Sequence, residues 1–283
     1  DGVSPMHKLQ MTTQEGNNVG VCAIYGNFDD AQTDVKSIIT NKEILKRFEE
    51  NNLVFSSANS INWGRLAPQI VYYVSAYCDM VNSGAVAFGD KINIVVPTGN
   101  FGNILAAYFA KEMGLPVNKL ICASNANNVL TDFLKTGTYD RNRKFFTTTS
   151  PSMDILISSN LEGLIYLLAE RDGEAVSTWM KALDTEKVYE VSETVKKGLE
   201  DFYGGFCTEE ETLETIDKLW KEEHYLTDTH TAVAYKVYED YVRETGDKTP
   251  TVIASTPSAY KFAESVAKAV GLDENKVKVL AKA

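Results

Sequence analysis

The chain has no apolar run approaching the ~18 residues that a membrane-spanning helix needs. Cysteine is scarce, with 4 in 283 residues at Cys22, Cys78, Cys122 and Cys207. None falls in a CxxC or a paired spacing, which excludes a disulfide scaffold and predicts buried, reduced thiols. Histidine is scarcer still: only His7, His224 and His230 occur, with no HExxH and no Cys/His cluster, so zinc chemistry is not expected. No Asn-x-Ser/Thr sequon is present, which together with reduced thiols predicts a cytoplasmic location. Positive charge is in deficit, 28 Lys plus Arg against 39 Asp plus Glu, a formal net charge of −11. A field of that sign repels nucleic acid and anionic lipid, so neither is an expected partner. An initiating Met is also missing. The opening Asp1-Gly2-Val3-Ser4-Pro5 is neither a signal nor a transit peptide, and the expectation is a chain cut from a longer one.

The composition that remains, 44% hydrophobic and 24% charged, is that of an ordinary folded chain of one or two domains. Val19–Ile24 reads as a strand and Ala31–Phe48 as a helix with Val35, Ile38, Ile39, Leu45 and Phe48 near one face. Ser60 is placed to cap a helix running through Tyr77, whose stripe is Leu66, Ile70, Tyr73, Val74 and Tyr77. Ile92–Val96 is a β-rich run, Ile104–Met113 a helix stopped by Gly114 and Pro116, and Leu120–Ala123 the next strand. That order is a βαβ unit and implies a parallel sheet. Residues 160–245 read as a mostly helical, acidic layer. In it Thr208 and Glu211 form a capping box, and Glu209, Glu210, Glu211 and Glu214 form a solvated face. Thr251–Ser255 returns to strand character, and Pro257 fits the start of a helix reaching Val270.

Pro97-Thr98-Gly99-Asn100-Phe101-Gly102-Asn103 breaks the βαβ unit between strand and helix. Glycine there lets backbone approach a ligand closely, and the amides and dipole of the following helix suit a phosphate. No Gly-Lys-Ser/Thr follows, so it is not a Walker A loop, and it is not a GxGxxG dinucleotide loop either. By itself a GxxG loop is compatible with a structural turn or with a phosphate cradle.

The wider string Val95–Asn103 resembles the cofactor-phosphate loop of threonine synthases, pyridoxal-phosphate (PLP) enzymes of the tryptophan synthase β type. Ser57–Gln69 (SANSINWGRLAPQ) is similar to that family's signature segment. So are Gly2–Pro5 with Lys8–Gln10, Ser150–Ile155 and His230–Val233. These stretches cover nearly the whole chain in family order. The resemblance implies an α/β, three-layer parallel-sheet PLP fold, with residues 1–55 the remainder of a smaller α/β domain and 56–283 the large PLP-phosphate-binding domain with its helical layer.

The resemblance further implies that Gly99, Asn100, Phe101, Gly102 and Asn103 hold the PLP phosphate. Asn103 stands where relatives often carry Asp. Thr256 matches a hydroxyl that meets the pyridine nitrogen; read alone it is a helix cap before Pro257. Asn59, Ser60, Asn62 and Arg65 are implied substrate residues, with Arg65 suited to a phosphate because guanidinium binds it bidentately. A surface ion-pair residue is the alternative reading of Arg65. His230 is read as a structural histidine, and Asp154 receives no role. The implied reaction converts O-phospho-L-homoserine and water to L-threonine and phosphate, with the cofactor stabilising the carbanion. The Schiff-base lysine of the family, in a Phe-Lys-Asp-like context, has no counterpart here. Lys8 follows His7 and Lys261 follows Tyr260, so no catalytic residue is assigned and the chain is expected to be inactive alone. Two alternatives accompany that reading: a non-catalytic PLP- or phosphate-binding module of the same fold, and another PLP lyase such as a threonine dehydratase.

Overall fold

The structure is a computed structural model that describes residues 5–25, 34, 35 and 37–272. Residues 2–4 of the first family-like stretch, and 31–33 and 36 of the expected first helix, lie outside the described residues. The chain divides into two compact units, Asp1–Ala58 and Asn59–Ala283.

In the first unit, α1 is Pro5–Thr12 and α2 is Lys42–Glu50. The helix expected through Phe48 does not run straight into α2. Helical residues 34, 35 and 37–39 are followed by a turn at Thr40, and Asn41 restarts the chain by accepting from the N–H groups of Glu43 and Ile44. An Asn side chain competes for backbone donors and so favours a cap over a helix interior. Val19–Ile24, expected as a strand, is exposed and irregular. An extended apolar run becomes a strand only against a hydrogen-bonding neighbour, and among the described residues none pairs with it.

The second unit is built on a four-stranded sheet of order β5-β2-β1-β6, every neighbouring pair parallel. The strands are β1 Ile92–Pro97, β2 Val117–Ser124, β5 Phe202–Phe206 and β6 Thr251–Ile253. A short antiparallel pair, β3 Thr138–Asp140 and β4 Val188–Glu190, lies apart from it. All six residues of β1 are buried, as a strand covered on both faces requires. Ile92, Ile94 and Val96 face a core shared with α3 (Trp63–Asn82), α4 (Gly102–Glu112), α5 (Val129–Thr136), α6 (Leu161–Leu168), α7 (Gly173–Thr185) and α8 (Glu193–Leu199). Val95, with Ile121 and Ala123 of β2, faces Val233, Val237 and Tyr241 of α10 (Thr229–Thr245). A third cluster joins α9 (Glu209–Glu222) to Phe262 and to Val266 of α11 (Ala263–Ala269). Each fully buried aliphatic side chain in these clusters contributes roughly 1.5–3 kcal/mol, and helices on both faces complete a three-layer α/β architecture. Among the described residues no helix is long and apolar enough to cross a membrane.

Several expectations are corrected here. The 160–245 region is mostly helical as expected, and it also contains the strands β4 and β5, which the sequence pattern does not show. Gly204 and Gly205 weaken the strand pattern of β5 in sequence, yet the sheet needs them. A Cβ on Gly204 would lie 2.9 Å from the Thr131 carbonyl of α5, and one on Gly205 2.6 Å from Val237 of α10. Asn62, not Ser60, caps α3 by accepting from the Gly64 N–H at 2.9 Å. Pro257 does not open a helix; β6 ends at Ile253, Ser258 caps a short 3-10 turn, and α11 begins at Ala263. Glu209 and Glu211 are half-buried, not freely solvated: Glu209 accepts from the Thr149 N–H and Glu211 completes the capping box on Thr208.

The thiols also divide. Cys122 and Cys207 are buried, and burial pushes each up to about 12, whereas Cys22 and Cys78 are exposed. A thiol-disulfide reagent should therefore titrate Cys22 and Cys78 in the native protein and reach Cys122 and Cys207 only after denaturation. Immediate reaction at all four positions would contradict this packing.

Candidate functional site

Because the strands are parallel, the segments after Pro97, Ser124, Phe206 and Ile253 all leave from one edge of the sheet, where α/β folds place their ligands. The β1 exit is tightly held. The Thr98 N–H donates to the Ala123 carbonyl at 2.8 Å and the Thr98 hydroxyl to the Val96 carbonyl at 2.7 Å. Beside it, the Ala254 N–H donates to the Val95 carbonyl at 2.9 Å, which fixes the start of the 254–258 loop.

Phe101 then turns the chain with φ +65°, a left-handed conformation that costs a non-glycine residue about 1–2 kcal/mol. Its ring is 1% exposed and sits 6.0 Å from Phe202, so burial offsets the strain. The loop's carbonyls point into protein. Gly99 accepts from the Ser158 hydroxyl at 2.8 Å, and Asn100 accepts from the Asn160 backbone at 3.0 Å and side chain at 2.8 Å. Its donors do not. Among the described residues nothing accepts from the N–H groups of Gly99, Asn100, Phe101, Gly102 or Asn103, and α4 has no side-chain cap.

Two contacts set the shape of this row of amides. A Cβ on Gly99 would fall 2.3 Å from the Ser152 carbonyl oxygen, and a Cβ on Gly102 would fall 2.3 Å from the Ser60 Cβ. The Ser152 segment is braced from several directions. Asp154 accepts from the Thr148 N–H and hydroxyl and from the Asn125 and Asn127 side chains, all at 2.7–3.0 Å. The Thr149 carbonyl accepts from the Thr229 hydroxyl at 2.8 Å. Asp154, to which the sequence assigns no role, is thus the acceptor that ties Asn125 and Asn127, just after β2, to the 148–154 segment.

Beside the β1 exit, Tyr72, Tyr73, Asn103, Ser255 and Thr256 line a cavity of about 480 Å³. The Tyr73 hydroxyl donates to the Asn103 side-chain oxygen, and burial raises it above the ordinary tyrosine value, so it stays a donor. The structure therefore brings Asn103 and Thr256 to one cavity and Ser60 against Gly102. Gly99, Asn100, Phe101 and Gly102 form the adjoining turn and do not line that cavity. Asn59, Asn62 and Arg65 stand at the exposed or half-exposed start of α3 next to Ser60. There Asn59 accepts from the Ile61 N–H and the Arg65 carbonyl accepts from Gln69. Sequence periodicity gave Tyr73 only a place in the apolar stripe; nothing in its spacing marks a hydroxyl that grips Asn103.

The test of fit for a phosphate monoester is met by this chain's own residues. A row of amide donors with no protein acceptor, at the positive end of a helix dipole, has the sign and the donors that a phosphate needs. No group of His, Cys, Asp and Glu among the described residues is arranged to hold a metal.

A parallel sheet between helical layers, with a helix start at its carboxyl edge, defines an α/β fold of the class that binds small ligands there. The family profile "Threonine synthase, C-terminal" matches residues 231–282. Threonine synthase-like 1 of Homo sapiens is 44% identical over 97% of this chain and 37% of its own length, and threonine synthase of Saccharomyces cerevisiae is 39% identical over 93% of this chain and 53% of its own. PLP-bound threonine synthase from Brucella melitensis superposes with a TM-score of 0.83 at 38% identity, covering 95% of this chain and 55% of that one. The chain resembles threonine synthases over nearly its whole length and carries the family's C-terminal domain, and it spans between about a third and a little over half of the length of these relatives.

Proposed function

We propose that this chain binds PLP through the Gly99–Asn103 amides and Thr256, as part of a threonine synthase acting on O-phospho-L-homoserine. The row of unpartnered N–H groups at the start of α4 carries that reading. PLP, when bound, supplies the carbanion stabilisation that elimination of phosphate and addition of water require. The protein's part is to hold and orient it. Amides from Gly99 to Asn103 receive the phosphate, while Tyr73 holds the side chain of Asn103 in place. The Thr256 hydroxyl, which lines the neighbouring cavity, would be the neutral partner of the ring nitrogen and would leave it unprotonated. Ser60, with Asn59, Asn62 and Arg65 at the head of α3, takes the substrate. We assign residues 1–55 to the remainder of a smaller α/β domain and 56–283 to the large one.

None of the residues lining the cavity beside the loop is a lysine. This favours a second reading of the chain by itself, as a PLP-binding module that does not turn over. Both readings are tested by titrating the protein with PLP and with pyridoxal. The expected result is PLP binding at least about tenfold tighter than pyridoxal, the worth of one or two charge-assisted hydrogen bonds. Equal affinities overturn the phosphate assignment. Supplied with O-phospho-L-homoserine, the 283-residue chain alone should release no phosphate and form no threonine; turnover would show that another group in this chain replaces the lysine.

A further inference from the structure

The sequence marks His230 as a structural histidine, and its surroundings give it a more definite task. It is the second residue of α10 and 3% exposed. Its Nε2 accepts a hydrogen bond from the Ser152 N–H at 3.3 Å. A ring nitrogen that accepts carries no proton, so the network places the proton on Nδ1. Nδ1 stands 3.3 Å from the Asp228 carboxylate and 3.3 Å from the Thr229 hydroxyl. Asp228 is itself immobile, because it caps α10 by accepting from the His230 and Thr231 N–H groups and from the Thr231 hydroxyl. The ring packs on Phe262 with centroids 4.7 Å apart. The imidazole is therefore held at one nitrogen and one face, and only its other nitrogen is offered to the neighbouring loop.

The residue it grips is the one that touches the amide loop. The Ser152 carbonyl oxygen lies where a Cβ on Gly99 would be 2.3 Å away. Thr149, three residues earlier, is tied to Thr229 and Glu209. Among the described residues, however, His230 is the side chain that bonds the Ser152 backbone itself. We infer that His230 is a positioning residue for the anion site. By accepting from Ser152 it sets the height of the Ser152 carbonyl over Gly99, and so the direction in which the Gly99–Asn103 amides point. For its ligand this inference rests on the PLP reading above.

The test compares His230→Leu, which removes the acceptor, with His230→Gln, which keeps an acceptor of similar reach. Amide hydrogen exchange across residues 148–155 is read in the ligand-free protein, and PLP and pyridoxal affinities are read by titration. In His230→Leu the 148–155 segment should exchange about tenfold faster and PLP should bind about tenfold more weakly, the worth of one buried hydrogen bond. Exchange in β1 and β2 should not change, pyridoxal affinity should hold, and His230→Gln should restore both effects to within about threefold. Leu and Gln variants that behave alike overturn the inference. Should His230→Leu not fold, nitrogen NMR of the wild-type ring decides: a bare Nε2 with the proton on Nδ1 is required, and the opposite tautomer overturns it. A wild-type protein that does not distinguish PLP from pyridoxal defeats the PLP reading and leaves the exchange result to judge His230 separately.

Discussion

Gly99→Ala is expected to remove the preference for PLP over pyridoxal and to lower stability by about 1–3 kcal/mol, the range for overpacking a tight site. The added Cβ would lie 2.3 Å from the Ser152 carbonyl oxygen and 3.3 Å from the carbonyl carbon. A flexible side chain could swing away from such a contact, but this oxygen belongs to the backbone. It can move only if the 148–154 segment moves, and that segment is tied down by Asp154, Thr229 and His230. The strain therefore falls on the loop, and the amides turn off line. Gly173→Ala is the control: its Cβ meets nothing within 4 Å, so affinity and stability should stay near wild type. Denaturant melts and paired PLP and pyridoxal titrations read both quantities. A Gly99→Ala protein that keeps its PLP preference would falsify the role given to this turn.

The second large effect lies at the opposite edge of the sheet. Asp247→Ala should cost about 3 kcal/mol at neutral pH, because it leaves several partly buried donors without an acceptor. The Asp247 carboxylate accepts from Asn93 at 2.9 Å, Asn118 at 3.2 Å, the Tyr241 hydroxyl at 2.6 Å, and the N–H and hydroxyl of Thr249 at 2.9 and 2.6 Å. It thereby joins β1, β2, the end of α10 and the approach to β6. Burial alone would raise this carboxyl, but hydrogen bonds from Thr249, Tyr241 and Asn93 outweigh burial and hold it well below the usual carboxylate range. Burial, with Asp247 beside it, pushes the Tyr241 hydroxyl up to about 12, so the donor stays protonated. The sign of the pH effect follows. The folded protein holds the Asp247 proton more weakly than the unfolded chain, so the stabilisation is complete above about pH 4 and drains away as pH falls below it. The stability gap between wild type and Asp247→Ala should be flat from pH 5 to 8 and narrow in acid. A gap that is constant down to pH 2, or one that widens, would refute the ionised acceptor.

Much of the fold is legible along the chain, and the places where reading fails are instructive. Ile92–Val96 reads as a buried strand because its apolar run is continuous, and Gly99 and Gly102 mark a special turn because glycine between strand and helix is seldom accidental. β5 escapes notice because Gly204 and Gly205 carry no side chains to form a pattern; the helices that crowd them come from residues 131 and 237. Asn41 and Asn62 show the limit of periodicity at helix starts, where one side-chain oxygen decides which residue caps.

Residue order alone determined the class of fold, the buried strands β1 and β2, the glycine turn and the family resemblance, since each depends on a short stretch whose apolar rhythm or residue types are local. What only three-dimensional packing decided is what surrounds the turn. Ser152 presses on Gly99, Ser60 on Gly102, Tyr73 bonds Asn103 and His230 stands behind Ser152, groups far apart along the chain. Local patterns record what is buried; they hold no record of which distant atoms meet there.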